Sequence, residues 1–297
     1  MKQKIVIAGG TGFVGRYLKE QFTASGHDVF IISRQENNIH WDNIPAIIDV
    51  LENATMLINL AGKSVDCRYN EKNRKEIYDS RIDTTTILGK AFLQCKNPPL
   101  LWINSSTATI YRHAQDRPMT ESTGEIGSGF SVNVATSWEK TFFNFKLQQT
   151  RQVALRMAIV LGRDGGVVPP IKNLVRFGLG GKQGGGDQMF SWIHIYDLYN
   201  VILFLQQHQQ LQGVFNTSAP NPVNNKKLMQ LFRKTMKTTI GLPLPKWLLK
   251  MGAVLIKTET ELVLKSRWVI PERLVQSGFV FTYPVIDEAI KNILQGE

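Results

Sequence analysis

Cysteine is scarce in this sequence. Among 297 residues there are two, Cys67 and Cys95, too few for the disulfide framework that holds small secreted domains together. Neither belongs to a Cys-x-x-Cys pair or lies near a histidine at the spacing of metal ligands. We therefore expect two ordinary thiols in a reducing cytoplasm, and no metal site.

Long apolar runs are missing as well. Residues 1–8 lead directly into a glycine-rich turn, without the apolar segment and small-residue cleavage site of an exported precursor. The most membrane-like stretch, residues 247–256, includes Lys250 and is far shorter than the roughly 20 apolar residues that cross a bilayer. We expect no membrane segment, and we expect this stretch to form a buried or partner-facing helix.

The charge is unbalanced but not concentrated. The chain carries 35 Lys and Arg against 24 Asp and Glu, a net charge of +11 with a pI of about 9.6. Such a surplus permits attraction to polyanions. The basic residues are scattered, however, without a dense Lys/Arg run, a zinc-finger spacing or an aromatic RNA-binding motif. We expect an anionic small molecule as the ligand, and neither a nucleic acid nor a membrane as a partner.

Apolar and amphipathic segments alternate along the first half of the chain. Short apolar runs, mostly β-branched or Leu-rich, occupy residues 5–8, 29–32, 56–60, 100–103 and 153–159. Longer amphipathic segments predict helices at residues 12–25, 45–51, 73–93 and 134–146. This alternation is typical of an α/β fold of the Rossmann type, a doubly wound parallel sheet with helices on both faces.

A glycine motif directly follows the first predicted strand. Its residues, Gly9-Gly-Thr-Gly-Phe-Val-Gly15, have the spacing G-x-x-G-x-x-G and open a predicted helix. The first glycine permits the tight turn, Gly12 lets the backbone approach a pyrophosphate, and the last allows close helix packing. The helix N-terminus offers N–H donors and a favourable dipole to phosphate. Strand, turn, helix and second strand follow in order, which indicates a dinucleotide site.

The end of the second strand selects the cofactor. A carboxylate there accepts hydrogen bonds from the ribose hydroxyls of NAD and repels a 2′-phosphate. This chain has Ser33-Arg34 instead, a hydroxyl beside a guanidinium that suits a phosphate monoester. The pair predicts NADP(H), unless Arg34 is a solvated surface residue without a ligand role.

The composition changes after about residue 162, where the alternation of strands and helices gives way to glycine-rich loops such as residues 178–186. No repeat or low-complexity linker separates the two halves. We predict an NADP-binding Rossmann core over residues 1–162 and a smaller substrate cap over residues 163–297, with about 194–218 returning to the core. The cap would pack on the strand ends, where open parallel sheets bind ligands.

Several motifs together resemble one family. Besides the glycine motif and Ser33-Arg34 they are Asn59-Leu-Ala-Gly62, Ser80-Arg-Ile-Asp-Thr-Thr85, Trp138-Glu139, Leu155-Arg-Met-Ala-Ile-Val-Leu-Gly162, Phe190-Ser-Trp-Ile-His194 and Ala219-Pro-Asn-Pro222. They resemble the extended short-chain dehydrogenase/reductase superfamily, and within it the NAD-dependent epimerase/dehydratase-like "epimerase family" branch. The carboxyl end, residues 266–281, is similar to the small terminal domain of unknown function of that branch. The resemblance covers nearly the whole chain.

This resemblance implies NADP bound along the strand tips, with the serine and arginine after the second strand on the adenosine phosphate. By motif position the implied cofactor residues are Gly9, Thr11, Gly12, Phe13, Val14, Gly15, Ser33, Arg34, Leu60, Ala61, Gly62, Glu76, Arg81 and Val160. Two alternatives stay open. Glu76 and Arg81, five residues apart on a predicted helix, also fit an exposed polar pair, and Leu60 and Val160 also fit plain core positions.

The catalytic pattern of that superfamily is broken. It uses a Tyr and a Lys four residues later on one helix, the phenol exchanging a proton with substrate. None of the seven tyrosines here has Lys four residues on. Aligned on Trp138-Glu139, the two positions hold Ser131 and Ala135, which puts ordinary epimerase or dehydrogenase chemistry in doubt. By resemblance Thr107, after the strand predicted at residues 100–103, would hold the substrate oxygen, and Tyr111 is the candidate phenol. The alternative is that these hydroxyls only satisfy nearby backbone groups.

Weaker candidates have equally good structural explanations. His194 and Glu139 also fit hydrogen-bonded core positions, and Lys63 follows the Asn-Leu-Ala-Gly motif, where it would face an anionic substrate or solvent. The glycines of residues 180–187 favour either a mobile lid or a close backbone contact.

Three functions fit these observations. The first is an NADP-dependent oxidoreductase or sugar-nucleotide-epimerase-like enzyme with an atypical proton donor, such as water or a substrate group. The second is a non-catalytic, NADP(H)-responsive binding or regulatory protein. The third, a scaffold that only retains the fold, is disfavoured by the intact glycine turn and Ser33-Arg34.

Overall fold

The computed structural model describes residues 2–249 and 264–296, so residues 250–256 of the predicted apolar helix lie outside the described residues. A seven-stranded sheet forms the centre. Its strands are β1 (Lys4–Ala8), β2 (Asp28–Ser33), β3 (Ile39–His40), β4 (Met56–Asn59), β5 (Leu101–Thr107), β6 (Arg151–Met157) and β11 (Gly213–Thr217). They are all parallel, in the order β11-β6-β5-β4-β1-β2-β3. The predicted Rossmann-type α/β fold is confirmed.

Helices cover the sheet and continue beyond it. They are α1 (Phe13–Ala24), α2 (Ile44–Leu51), α3 (Glu71–Phe92), α4 (Phe130–Asn144), α5 (Val168–Arg176), α6 (Ile195–Gln207), α7 (Asn225–Thr235), α8 (Glu272–Gln276) and α9 (Ile286–Gln295). A 3₁₀ turn, Ala108–Ile110, follows β5. The first four helices overlap the predicted amphipathic segments, although α4 begins four residues before its predicted start at residue 134. Over residues 2–249 and 264–296, none of the helices is both long and apolar enough to cross a membrane.

Both faces of the sheet are buried, which explains the unbroken apolar run of β1. Ile5 and Ile7 point to one face and pack with Leu18 of α1, while Val6 and Ala8 point to the other, which α2, α3 and α4 cover. Successive side chains of a strand face opposite sides. A strand buried on both sides therefore needs apolar residues at every position.

The end of the strand predicted at residues 153–159 is wrong. The chain leaves the central sheet after β6, and a new strand, β7 (Ile159–Gly162), pairs with β10 (Trp192–His194) and β8 (Gly165–Gly166) in a second sheet. Ala158 lies between the two strands, and its N–H donates to the Thr217 carbonyl at 3.0 Å. Val160, just beyond the predicted strand, therefore belongs to β7. Apart from Arg156, the residues from 153 to 161 are all apolar, so hydrophobicity gives no signal for the break.

The chain after β7 forms a second layer and also returns to the first. Helices α5, α7 and α9 pack around Trp192 in a separate apolar cluster, next to the short antiparallel pair β9 (Met189–Phe190) and β12 (Val223–Asn224). Helix α6 contacts α1, and β11 extends the central sheet beside β6. Residues on both sides of the sequence midpoint therefore build one sheet.

Helix α6 begins at a buried histidine. The Nδ1 atom of His194 accepts the Tyr196 N–H at 3.1 Å, and its ring lies 4.1 Å from that of Tyr283, centre to centre. Because Nδ1 is an acceptor, the neutral ring carries its proton on Nε2. Burial lowers the pKa of His194 to about 4. The residue serves the fold as the N-cap of α6.

We predict that His194 makes stability fall in mild acid. Because its folded-state pKa of about 4 lies below the ordinary 6.5, the unfolded chain binds more protons between these pH values, and the free energy of unfolding decreases as pH falls through that window. The residue should remove about 2 kcal/mol between pH 7 and pH 5. His194→Asn, which retains an N-cap acceptor, should lose this part of the pH dependence in urea unfolding. Equal pH dependence in both proteins would contradict the assignment.

Candidate functional site

The glycine turn between β1 and α1 packs tightly against the loop after β4. Gly9 has a φ of +77°, in the region that glycine favours, and a Cβ on it would lie 2.7 Å from the Ala61 nitrogen. A Cβ on Gly15 would lie 2.5 Å from the Gly10 Cα. Gly9 is therefore required for the turn to pack against the loop after β4, and Gly15 for α1 to pack against the turn.

The start of α1 is open and uncapped. Its N-cap residue, Gly12, makes no side-chain cap hydrogen bond, and a Cβ on it would meet only the Gly9 carbonyl oxygen, at 3.8 Å. The first amides of a helix have no acceptor within the helix. The Arg16 guanidinium adds positive charge here, because it donates to the Thr11 carbonyl at 2.9 Å. This helix start is suited to an anionic group.

Strand β2 ends in a hydroxyl and a cation. The buried Ser33 Oγ accepts hydrogen bonds from the Gln35 N–H and from Asn38 Nδ2, both at 3.0 Å. These bonds use the oxygen lone pairs and leave the hydroxyl proton as a donor. Arg34 is exposed, and no carboxylate of the described ranges forms an ion pair with it.

One buried amide ties the end of β4 to three other elements. The Asn59 Nδ2 donates to Asn104 on β5 at 2.7 Å and to Thr85 on α3 at 3.2 Å, and its Oδ1 accepts the Ala61 N–H at 3.0 Å. The Thr85 hydroxyl also accepts from the Trp138 indole on α4, at 2.8 Å. We call these five residues the Asn59 joint.

A cavity of about 180 Å³, here the strand-tip cavity, opens beside this joint. Its walls are residues 60–62 after β4, residues 105–107 at the end of β5, Arg81 on α3, and Ser131 and Ala135 on α4. Three predicted cofactor positions at 60–62 therefore share one lining with Arg81 and with Thr107, the predicted substrate hydroxyl. The two residues at the expected Tyr and Lys positions line it too.

Arg81 brings positive charge to the cavity without a counter-ion. Its Nη1 donates to the Lys63 carbonyl at 3.1 Å and to the Ile77 carbonyl at 2.8 Å, and its guanidinium lies 5.2 Å from the centre of the Trp138 ring. Burial lowers the pKa of Arg81 to about 10, so the group stays charged at neutral pH. No carboxylate in the described part of the chain pairs with it. A desolvated cation of this kind suits an anionic ligand or side chain.

Glu76 and Lys63 neutralise each other. The Lys63 ammonium forms an ion pair with the Glu76 carboxylate and donates to Asn73 Oδ1 at 2.7 Å. The hydrogen bond from Lys63 lowers the pKa of Glu76, and the positive charges of Lys72 and Arg34 lower it further. Lys63 therefore binds α3 in this structure, and Glu76 lies on the Arg34 side of the site.

The two predicted catalytic hydroxyls are placed differently. Thr107 lines the cavity, where its Oγ1 accepts the Thr109 N–H at 3.1 Å. Tyr111 is buried elsewhere: its hydroxyl donates to Asn216 at 2.8 Å and accepts from Arg156 at 2.9 Å. Burial raises the pKa of Tyr111. The structure brings Thr107, but not Tyr111, to the cavity.

Glu139 holds the wall behind the cavity. Its two carboxylate oxygens accept from the Arg156 guanidinium at 2.8 and 2.7 Å, and one of them accepts from the Ser106 hydroxyl at 2.6 Å. This bidentate pair joins α4 to β5 and β6. The hydrogen-bonded core position expected for Glu139 is what the structure contains.

The glycine-rich loop at 180–187 makes close backbone contacts. The Gly181 N–H donates to the Leu242 carbonyl at 3.0 Å, and the Gly184 N–H to the Leu244 carbonyl at 2.8 Å. A Cβ on Gly181 would lie 2.5 Å from the Gly241 carbonyl oxygen. Of the two expected explanations, close backbone contact accounts for these glycines.

Val14 and Val160 are among the predicted cofactor residues that lie outside the cavity lining, whereas Tyr69 lines the cavity and is not one of the predicted site residues. Val160 packs against the core from β7, as Val14 does from α1. Tyr69 lines the cavity, but the Tyr-x-x-x-Lys pattern excludes it because Asn73 stands four residues later. The signal in the sequence that could have identified Tyr69 is its position in the loop after β4, at the strand ends where parallel sheets bind ligands. Within the described ranges, no three His, Cys, Asp or Glu side chains are grouped to hold a metal.

Comparison with known proteins gives two family matches. The NAD dependent epimerase/dehydratase family matches residues 5–217, and a domain of unknown function, DUF1731, matches residues 244–293. The human epimerase family protein SDR39U1 is 31% identical over 98% of this chain and 99% of its own length. The epimerase family protein YfhF of Bacillus subtilis is 29% identical over 98% of this chain and 97% of its own.

Solved structures agree with these matches. The crystal structure of human SDR39U1 (isoform 2) with NADPH has a TM-score of 0.91 at 31% identity, over 99% of both chains. A nucleoside-diphosphate sugar epimerase from Corynebacterium glutamicum has a TM-score of 0.81 at 28% identity, over the whole of this chain and 59% of its own. The chain belongs to the NAD dependent epimerase/dehydratase family.

Proposed function

We propose that this chain binds NADP(H) along the strand tips and acts on a small molecule as an oxidoreductase or sugar-nucleotide-epimerase-like enzyme. The observation that carries this proposal is the contact of Gly9 with Ala61, which sets the uncapped start of α1 directly beside the strand-tip cavity. A dinucleotide needs an anion site for its pyrophosphate and, next to that site, a cavity for its nicotinamide. The human relative crystallised with NADPH supports the choice of cofactor.

The cofactor set follows from this arrangement. Residues 9–15 would hold the pyrophosphate, and Ser33 and Arg34 would hold the 2′-phosphate through a hydroxyl proton and a guanidinium. Residues 60–62 and Arg81 would contact the ribose and nicotinamide end. The remaining members of the proposed set are Glu76 and Val160.

The chemistry would take place at the end of β5. Bound NADPH supplies a hydride, and Thr107 would hydrogen-bond the substrate oxygen. Ser131 and Ala135 offer neither a phenol nor an ammonium at the positions where the family pattern has them. A proton must therefore come from another group.

A second candidate function rests on that same pair of residues. Such a protein would bind NADP(H) and respond by changing its own conformation or that of a partner, without turnover. It would not require the catalytic Tyr and Lys. We keep this candidate because Ser131 and Ala135 face the cavity where those side chains would act.

We further propose that residues 1–162 form the NADP-binding core and residues 163–297 the substrate cap, with about 194–218 returning to the core. The pairing of β11 with β6 supports the return. A cytoplasmic location is part of the proposal, and the unpaired thiols of Cys67 and Cys95 are consistent with a reducing compartment.

The function is tested by turnover. We expect NADPH to be oxidised, or a sugar nucleotide to be epimerised, when the protein is incubated with a metabolite panel and followed by nicotinamide absorbance and product analysis. An enzyme should reach about 1 per second on its own substrate. Tight NADPH binding without turnover on any panel member would favour the second candidate, and absence of NADPH binding would contradict both.

We predict that Arg34 selects NADPH over NADH. Arg34→Ala should weaken NADPH binding by about 1–3 kcal/mol, the scale of a charge-assisted hydrogen bond, and leave NADH binding nearly unchanged. Isothermal titration calorimetry measures both cofactors. Arg176→Ala, an exposed arginine at the end of α5, is the control for the lost charge. Equal loss for both cofactors, or tighter NADH binding by the unmodified protein, contradicts the prediction.

We predict that the cavity is competent for the usual dyad. Ser131→Tyr combined with Ala135→Lys should raise the rate of NADPH-dependent reduction of simple carbonyls, since general acid catalysis contributes roughly 100-fold or more. Ser131→Phe with Ala135→Met adds similar bulk without a proton or charge and should give no gain. If both double variants behave alike, the two positions do not face a reactive carbonyl.

A further inference from the structure

A phenol and a cation line the strand-tip cavity. Among residues 2–249 and 264–296, the rest of its lining is apolar side chains, glycine, and the hydroxyls of Ser and Thr, so Tyr69 and Arg81 are the ionisable side chains found there. They are twelve positions apart in sequence, but the loop after β4 and helix α3 bring them to the same cavity. The two groups also interact electrostatically, because a negative charge on Tyr69 raises the pKa of Arg81, which burial lowers.

The first turn of α3 fixes the position of Tyr69. The Arg74 Nε donates to the Tyr69 carbonyl at 2.8 Å, and Asn70, the next residue, caps α3 by accepting the Asn73 N–H at 2.8 Å. The Tyr69 ring packs edge-on against that of Phe130, at 5.1 Å between centres. Phe130 and Ser131 both line the cavity, so the Tyr69 ring reaches the part of the lining that α4 forms.

Arg81 is arranged to favour an anion in the cavity. It has no carboxylate partner in the described ranges, and its surroundings are two backbone carbonyls and the Trp138 ring. Other charged groups of the described residues surround this loop: Asp66 and Arg68 within it, Arg74 on α3, and the Lys63–Glu76 ion pair. Across the cavity, Lys265 and Arg267 donate to Thr109 of the lining, at 3.0 and 3.1 Å. The first turn of α4 contributes no acid. A phenolate at Tyr69 would be stabilised by Arg81 as a buried charge is by its partner.

We propose that Tyr69 is the proton donor and acceptor of this site, and that Arg81 takes the electrostatic part that a lysine plays on α4 in the family pattern. The inference rests on the proposed NADP(H)-dependent function. In the reductive direction the substrate carbonyl carbon accepts a hydride from NADPH, and the carbonyl oxygen takes the Tyr69 proton. The products are an alcohol, NADP⁺ and a Tyr69 phenolate, which water then protonates. The reverse direction returns the proton to Tyr69.

The first experiment needs no substrate. Protein labelled with [¹³Cζ]tyrosine is titrated by NMR with and without NADP⁺, and the Tyr69 signal is identified by its absence in Tyr69→Phe. Arg81→Gln should raise the pH midpoint of this signal by at least one pH unit, a tenfold change in ionisation. Arg81→Lys, which keeps the charge, should shift it by less than half of that. Arg176→Gln, remote on α5, should leave it unchanged. An unmoved midpoint in a folded Arg81→Gln protein overturns the proposal.

The second experiment measures turnover on a substrate from the panel. Tyr69→Phe should lower kcat about 100-fold while the Kd for NADPH changes less than threefold. Tyr78→Phe, an exposed tyrosine on α3, should leave both values unchanged. If the unmodified protein does not bind NADPH, the proposed function itself is refuted. Intact NADPH binding with unchanged kcat in Tyr69→Phe would refute the role of Tyr69 alone.

Discussion

The site depends on how one buried amide is satisfied. Asn59 is fully enclosed at the end of β4, and its side chain uses both donor hydrogens and its oxygen on β5, α3 and the following loop. A buried amide that loses such partners costs roughly 1–3 kcal/mol for each unsatisfied group. The joint therefore holds four walls of the cavity in one arrangement. The loop that it fixes is the same loop against which Gly9 packs, so the glycine turn and the cavity are positioned together.

Two arginines at this end of the sheet have opposite electrostatic roles. Arg156 is neutralised by the bidentate Glu139, and its Nη1 atom donates to the Tyr111 hydroxyl. Its charge therefore stabilises the wall formed by β5, β6 and α4. Arg81 has no such acid, and its charge reaches the cavity. Arg81 therefore provides a local positive charge at the cavity, in addition to the Lys265 and Arg267 side chains that donate to Thr109 of its lining. The net charge of +11, by contrast, is spread over the whole chain.

The sequence predicted those strands and helix starts that depend on residues close together in the chain. The apolar runs gave β1, β2 and β4 to within one residue, and the glycine spacing located the start of α1, because both depend on neighbours in sequence. The break between β6 and β7 was missed, since one apolar run serves two sheets. The burial of Tyr111 was also beyond local reasoning, because its partner Asn216 lies 105 residues away. Tyr69 was overlooked because a pattern defined on one helix cannot include a residue from a loop.

The last case indicates what a catalytic pattern encodes. A tyrosine and a lysine four residues apart on one helix are one way to bring a phenol and a cation into the same cavity, since such spacing places both on one helix face. In this chain α4 presents the small side chains of Ser131 and Ala135, which leave room in the cavity, while a loop and α3 supply Tyr69 and Arg81. Burial lowers the pKa of Arg81 to about 10, so the guanidinium still stays charged at neutral pH. At that pH the proposed proton exchange therefore falls to the phenol, and the cation keeps a purely electrostatic role.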